Sequence, residues 1–95
     1  MNPYELMFII HPGAEADEQD ALVERVRALI EQGEGTNIEI RKWGKRRLAY
    51  EIADQREGFY VLINFVSLSK VVDEIDRVLK ITEQVIRFMI VRVDE

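Results

Sequence analysis

Two hydrophobic periods alternate along this chain, and their order limits the folds that the chain can adopt. Apolar runs typical of strands cover residues 4–10, 38–52, 59–66 and 85–93, with a polar interruption inside the second run. Between them, apolar residues recur at helical spacing from about residue 17 to residue 32 and again after residue 67. Pro12-Gly13 and Gly33-Glu34-Gly35 end the first strand and the first helix. The predicted order is therefore β-α-β-β-α-β.

Each helical segment has one apolar face. In the first segment, which has acids in its early turns, this face consists of Leu22, Val26, Leu29 and Ile30. In the second it consists of Leu68, Val72, Ile75 and Leu79. Ser67 or Ser69 is the predicted N-cap of this second helix, because a serine hydroxyl can accept a hydrogen bond from a free backbone N–H.

The element order predicts an α+β fold, the ferredoxin-like β-α-β-β-α-β sandwich. Right-handed crossovers place both helices on one face of a four-stranded antiparallel sheet, with the first and third strands in its centre. A chain of 95 residues, 47% of them hydrophobic, can bury a core without metal or disulfide. We therefore expect a single domain over residues 1–95.

Strand alternation assigns side chains to the two faces of this sheet, since successive residues point to opposite sides. The apolar set Tyr4, Leu6, Phe8 and Ile10 is predicted to face the helices, as are Phe59, Val61, Ile63, Phe65, Phe88 and Ile90. The open face is then predicted to carry Met7, Ile9, Tyr60, Leu62, Met89 and Val91. An exposed apolar patch of this size usually marks a binding surface for a partner, and we assign these six residues to it.

The second strand is predicted to bend at Gly44, and residues 54–58 to form the polar connection to the third strand. Charge is concentrated near this bend. The net charge is −5, yet five of the thirteen basic residues fall within seven positions: Arg41, Lys42, Lys45, Arg46 and Arg47. Two interpretations remain open, a phosphate-binding surface or a charged edge strand that resists aggregation. For Trp43, covering the edge of the core is preferred to stacking on a base.

Other functional classes have little support in the residues. Without cysteine, thiolate zinc sites and cysteine nucleophiles are excluded, and His11 has no second histidine with which to form a dyad or a metal site. No dinucleotide or phosphate-loop motif is present, so we predict no catalytic residue, metal or cofactor. Residues 6–10 are too short an apolar run to span a membrane, and no targeting segment is recognisable, which favours a cytoplasmic protein.

The element order is shared with RNA-recognition motifs, and residues 56–61 resemble their third-strand signature. Those domains stack bases on aromatic side chains of the open sheet face. Here that face is predicted to offer one outward aromatic residue, Tyr60. An aliphatic face of this kind favours a protein partner over bases.

The segment Trp43-Gly44-Lys45-Arg46-Arg47-Leu48-Ala49-Tyr50-Glu51-Ile52 resembles the signature of the bacterial small-subunit ribosomal protein six family. Tyr4-Glu5, Gly58-Phe59-Tyr60 and residues 81–87 resemble the same family, and the likeness covers nearly the whole chain. One departure is His11, where many members have asparagine.

The resemblance implies a structural protein without enzymatic activity. It further implies binding to the central domain of small-subunit ribosomal RNA together with small-subunit protein eighteen, in the cytoplasm and on the ribosome. RNA contact is expected of the signature cations, and packing of Leu48 and Ala49, with Gly44 as the bend that directs the cations. To the five clustered cations we add Arg87 and Arg92 of the fourth strand as RNA-binding candidates. The alternative from another class is a ferredoxin-like small-molecule regulatory or dimerisation domain, or a small enzyme, that uses the open face.

Overall fold

A computed structural model describes residues 1–52 and 54–93. Four strands and two helices follow one another in the order β1 (Asn2–Ile10), α1 (Ala16–Gln32), β2 (Thr36–Ile52), β3 (Gln55–Ser67), α2 (Ser69–Lys80) and β4 (Val85–Arg92). This order confirms the predicted ferredoxin-like α+β architecture. Within the described residues, neither helix is long and apolar enough to cross a membrane.

The four strands form one antiparallel sheet in the order β2-β3-β1-β4. As predicted, β1 and β3 are central and β2 and β4 are the edges. Leu6 lies opposite Ile63 on one side and Ile90 on the other, while Phe8 lies opposite Val61. Directly opposed residues share a face, so this register aligns the apolar sets of three strands on the helix-covered side.

The core lies between this sheet face and the two helices. The inward residues of β1 and β3 join α1 and α2 in one cluster, which includes the fully buried side chains Leu6, Phe8, Val26, Ile30, Ile63 and Ile75. Among the residues predicted to point inward, Phe59, Phe88 and Ile90 are half-buried, because they lie towards the ends or at the edge of the sheet. The predicted division of faces is otherwise confirmed.

Helix α1 begins at a reciprocal capping box. The side chain of Glu15 accepts from the backbone of Glu18, and the side chain of Glu18 accepts from the N–H of Glu15 at 3.0 Å. These two carboxylates satisfy backbone donors that a helix start leaves without partners. The helix ends at Gly33, as predicted.

The predicted cap of α2 is wrong. The N-cap is Leu68, without a side-chain cap hydrogen bond, and Ser69 is already the first helical residue. Ser67 is buried at the end of β3, and its hydroxyl donates to the Leu68 carbonyl at 3.1 Å. Leu68, predicted on the buried face, is exposed, because it lies outside the helix and the helical period does not apply to it. The buried residues of α2 are Val71, Ile75, Val78 and Leu79.

The connection between β2 and β3 is tighter than predicted. Residues 55–58 belong to β3, and Ile52 lies opposite Gln55. Asp54 has a φ of 63°, a left-handed conformation that aspartate tolerates in turns. The polar composition of residues 54–58 marks a solvated hairpin, not a loop. Strand β4 ends at Arg92, one residue before the predicted end.

Beyond the last β1–β3 pair, Ile10 with Phe59, the two strands of the hairpin continue without β1 beside them. Residues 46–52 of β2 and 55–58 of β3 are called the ribbon from here on. Gly44, just before it, has a φ of 78°, and the β2–β3 register shifts between Lys42 and Gly44. This confirms the predicted bend, since an extra residue in one strand turns that strand and increases its twist.

The start of β3 depends on a close approach at Gly58. A Cβ atom added there would lie 2.3 Å from Cγ2 of Ile9 and 3.2 Å from the Ile10 carbonyl oxygen. We expect Gly58→Ala to lower the free energy of unfolding by about 1–3 kcal/mol, the cost of overpacking a filled site. Urea denaturation measures it. The exposed substitution Ala49→Ser is the control and should stay within about 0.5 kcal/mol of the parent; equal values for the two variants would contradict the close contact.

Candidate nucleic-acid interface

The register of β2 divides its cations between the two faces of the sheet. Arg41 lies opposite Leu62 and Arg46 opposite Gly58, which places both on the open face. The other three clustered cations lie on the helix side, and they are Lys42, Lys45 and Arg47. Along the chain, the bend at Gly44 separates Arg41 and Lys42 from the other three cations. The cluster therefore surrounds the edge strand and does not form one flat patch.

Three of these cations have acidic partners. The ion pairs are Arg41 with Glu39 at 2.8 Å, Lys42 with Asp20 at 2.6 Å and Lys45 with Glu57 at 3.8 Å. The Lys45 ammonium also lies 5.5 Å from the ring centroid of Phe59. All three pairs are about half exposed, so each is weak and its cation can exchange one anionic partner for another.

Arg46 and Arg47 differ from the other cations of the cluster. Both are exposed, both lie on the ribbon, and neither has an ion-pair partner within residues 1–52 and 54–93. An arginine presents five N–H donors and a permanent charge, which suit phosphate oxygens. These two side chains can bind an anion without first breaking an ion pair with a carboxylate.

The two β4 candidates are separated by the sheet. Arg87 lies opposite Ile9 on the open face, and its Nη1 donates to the Tyr50 hydroxyl at 3.2 Å. Arg92 lies opposite Tyr4, which points to the helix side. The structure thus brings Arg87 to the ribbon but places Arg92 on the other face and at the opposite edge of the sheet from β2.

Trp43, beside the bend, is 49% exposed. The interpretation that its ring covers the edge of the core is therefore wrong. The extra residue at the bend carries this side chain away from the sheet surface. The family resemblance implied that Leu48 and Ala49 pack. Leu48 is buried as expected, whereas Ala49 is exposed.

The open face carries the predicted apolar residues, with one correction. Met89 is 45% exposed and Val91 is also exposed, while Met7, Tyr60 and Leu62 are half-buried. Ile9, predicted to be available to a partner, is 2% exposed. The ribbon turns over this end of the sheet, and Ile9 lies beneath it, in a cavity of about 180 Å³ that Leu48 and Tyr50 also line. Strand alternation fixes the side to which a residue points, but not whether another segment covers it.

Three titratable groups that could suggest chemistry have structural roles. Nδ1 of His11 accepts from the Gly13 N–H at 2.9 Å, and the His11 N–H donates to the Gln84 carbonyl at 2.7 Å, which makes His11 a turn residue. On α2, the hydrogen bond from Arg77 holds the pKa of Glu74 below its usual value, and the same bond raises the pKa of Arg77. His11 is half-buried, Glu74 is partly exposed and Arg77 is exposed, and all three lie outside the cation cluster.

An acidic group at the start of α1 has a similar explanation. Oxygens of Glu15, Asp17 and Glu18 lie within 4.8 Å of one another, and all three residues are exposed. Glu15 and Glu18 form the capping box, and Asp17 accepts from the Glu18 N–H at 3.0 Å. The backbone at the helix start therefore accounts for these carboxylates.

Taken together, the fold and the site define a ferredoxin-like α+β protein with a cationic edge strand and an apolar open face. The family model described as ribosomal protein S6 matches residues 3–92. The chain belongs to the ribosomal protein S6 family and is a protein of the small ribosomal subunit. This is a family of ribosomal structural proteins and not of enzymes.

Relatives of known structure and sequence agree with this assignment. The chain is 41% identical over 95 residues to the small ribosomal subunit protein bS6 of Carboxydothermus hydrogenoformans, covering 100% of this chain and 99% of the relative. The crystal structure of 30S ribosomal protein S6 from Thermotoga maritima matches with a TM-score of 0.91 and 35% identity, over 97% of this chain and 87% of that chain. An Arabidopsis thaliana protein matches with a TM-score of 0.61 and 10% identity, over 100% of this chain and 95% of that one, and shares the fold alone.

The Lys42–Asp20 ion pair joins β2 to α1. Its strength determines whether a paired cation of β2 can leave its carboxylate and bind a phosphate. We expect a double-mutant cycle of Lys42→Ala and Asp20→Ala to give a coupling free energy below about 1 kcal/mol in low salt, and less in high salt. Urea denaturation of the four proteins measures it. A coupling well above about 1 kcal/mol that resists salt would show instead that Lys42 is fixed to α1.

Proposed function

We propose that this protein binds the central domain of small-subunit ribosomal RNA together with small-subunit protein eighteen, as a single domain over residues 1–95 in the cytoplasm. The observation that carries the proposal is the pair of exposed arginines on the ribbon, Arg46 and Arg47, which have no acidic partner in the described part of the chain. Because the chain belongs to a ribosomal family, the expected nucleic acid is ribosomal RNA.

Charge distribution supports RNA contact despite the net charge of −5. Five acids fall between residues 15 and 24, at the start of α1, and five cations fall between residues 41 and 47 on β2. Phosphates are attracted to the second group and repelled by the first. RNA is therefore expected to approach β2 at the ribbon, since Asp20 at the acidic start of α1 lies 2.6 Å from Lys42 on the adjoining part of the strand.

The partner protein is assigned to the open sheet face. Its exposed members are Met89 and Val91, and the half-buried Leu62 continues the apolar surface towards β3, while the half-buried Met7 and Tyr60 lie where this surface meets the cavity beneath the ribbon. Ile9 belongs to this face only as a buried support beneath the ribbon. An apolar patch next to a charged strand suits a protein neighbour that binds beside the RNA.

The small-molecule alternative has weaker support. The cavity on the open face, which this alternative would use, has a volume of about 180 Å³, below the roughly 300–1,000 Å³ of pockets that bury a drug-sized ligand. A larger cavity of about 310 Å³ beside Arg47 and Arg56 is open to solvent. The structure therefore favours a macromolecular partner over a regulatory metabolite.

The salt dependence of RNA binding tests the role of the ribbon arginines. Each phosphate contact contributes a slope of about 0.7–0.9 in log affinity against log salt. We expect four contacts to cost roughly a hundredfold in affinity for a fourfold rise in salt. Arg46→Ala and Arg47→Ala should each reduce the slope by about 0.7–0.9. The measurement is binding to a central-domain RNA fragment, with protein eighteen present, across a salt series.

Arg77→Ala is the matched control for this series. Arg77 is also an exposed arginine, but it lies on α2 and pairs with Glu74. It should leave the salt slope unchanged. If all three variants show the same slope as the parent protein, the ribbon does not contact phosphates and the proposed RNA surface is wrong.

The partner surface is tested by Met89→Asp. The aspartate introduces a charge that must lose water when an apolar partner covers the face, so affinity for protein eighteen should fall at least tenfold. Because Met89 is 45% exposed, the fold is expected to survive, which circular dichroism checks. Ile81→Asp is the control, since Ile81 is 67% exposed but lies at the end of α2. Unchanged affinity in Met89→Asp, measured by calorimetry, would place the partner elsewhere.

A further inference from the structure

The cavity beneath the ribbon combines an apolar floor with a polar, aromatic rim. The buried Ile9 and Leu48 form the floor with the half-buried Met7, the half-buried Tyr60 lies in the wall, and the exposed Tyr50 and Arg87 lie at the opening. The two tyrosines come from different strands, Tyr50 from β2 and Tyr60 from β3. Strand alternation predicted one outward aromatic residue on this face, Tyr60, and the turn of the ribbon adds a second ring, Tyr50.

The geometry points to this cavity as the site of one unpaired base of ribosomal RNA, an inference that rests on the proposed function. A volume of about 180 Å³ is below the roughly 300–1,000 Å³ of pockets that bury drug-sized ligands, and it suits a single ring system. Proteins recognise unpaired bases by stacking them on aromatic rings and arginine planes and by hydrogen bonds to their edges. Rings, a guanidinium and hydroxyl groups are all present at this opening.

Arg87 is held at the opening by a contact from the opposite edge of the sheet. Its Nη1 donates to the Tyr50 hydroxyl at 3.2 Å, across 37 positions of sequence. The guanidinium has five N–H donors in a planar fork, so this bond orients the plane and uses one of the five. The Tyr50 hydroxyl accepts this bond and can still donate its own proton to a base.

The charges around the cavity favour RNA over an apolar side chain of a protein. Arg46 lies two residues before Leu48, so it points to the same face, at about 7 Å along the strand. It is exposed and has no acidic partner in the described residues. Together with Arg87 at the opening, Arg46 provides cations for the phosphate of a bound nucleotide and for that of its neighbour. An apolar side chain of a protein would pair with neither arginine.

The experiment compares single-stranded octa-adenosine with an abasic ribose-phosphate octamer of equal length and charge. We expect Tyr50→Ala to weaken octa-adenosine about tenfold, because stacking on one ring is lost, and to leave the abasic strand unchanged. Tyr50→Phe keeps the ring and should retain most of the affinity. Ile81→Ala is the control, since Ile81 is an exposed apolar residue at the end of α2, outside the cavity. Fluorescence anisotropy measures binding.

A second measurement uses the unsubstituted protein, so it does not depend on how a variant folds. The ring proton signals of Tyr50 and Tyr60 should shift when octa-adenosine is added and stay in place with the abasic strand. Equal losses for the two strands in Tyr50→Ala, or no loss for either, would overturn the inference. So would a loss of affinity for protein eighteen with RNA affinity intact, which would assign the cavity to a side chain of that partner.

The outcomes also separate this inference from the proposed function. Arg46→Ala should weaken both strands, because it removes a phosphate contact and not a base contact. If Arg46→Ala lowers the affinity for both strands and Tyr50→Ala lowers neither affinity, only the cavity assignment fails. If neither strand binds while the central-domain RNA fragment binds with protein eighteen present, only the cavity assignment fails. If that fragment does not bind either, or if Arg46→Ala leaves its affinity unchanged, the proposed RNA contact fails and the cavity assignment falls with it.

Discussion

The burial of one face of β1 and β3 beneath two helices is the constraint on which the rest of the structure depends. Leu6, Phe8 and Ile63 are fully buried there and pack with Val26 and Ile75 of the helices. Because alternate residues of a strand point to opposite sides, the same packing leaves the other face of the sheet without a layer. The protein therefore has one uncovered sheet face. That face is largely apolar because most outward residues of β1 and β3 are apolar.

The difference in strand length determines what happens at the end of that face. Strand β2 has 17 residues and β1 has 9, so β2 and β3 continue past β1 as a two-stranded ribbon. Two-stranded ribbons twist more strongly than wide sheets. The twist carries Leu48 and Tyr50 over the open face, while Arg46 and Arg47 stay exposed. The cationic strand and the apolar face thus meet at one cavity instead of remaining apart.

The sequence predicted much of this arrangement, and its errors have physical causes. Period-two alternation assigned Leu6 and Ile63 to the core correctly, because a buried face must be continuous. The Ser cap of α2 was wrong, since cap preferences are small free energies that the local path of the chain can outweigh. Ile9 was assigned to the correct face and the wrong environment, because its cover comes from residues about forty positions away.

The sequence by itself determined the element order, the two faces of the sheet, the bend at Gly44 and the concentration of cations on β2. These follow from local periods and from residue types that act within a few positions. Only the tertiary structure decided that Lys42 pairs with Asp20, that Arg46 and Arg47 stay without such partners in the described chain, and that Tyr50 lies with Tyr60 and Arg87 around one cavity. These contacts join distant residues through a register shift and the twist of the ribbon, and no local pattern records either of them.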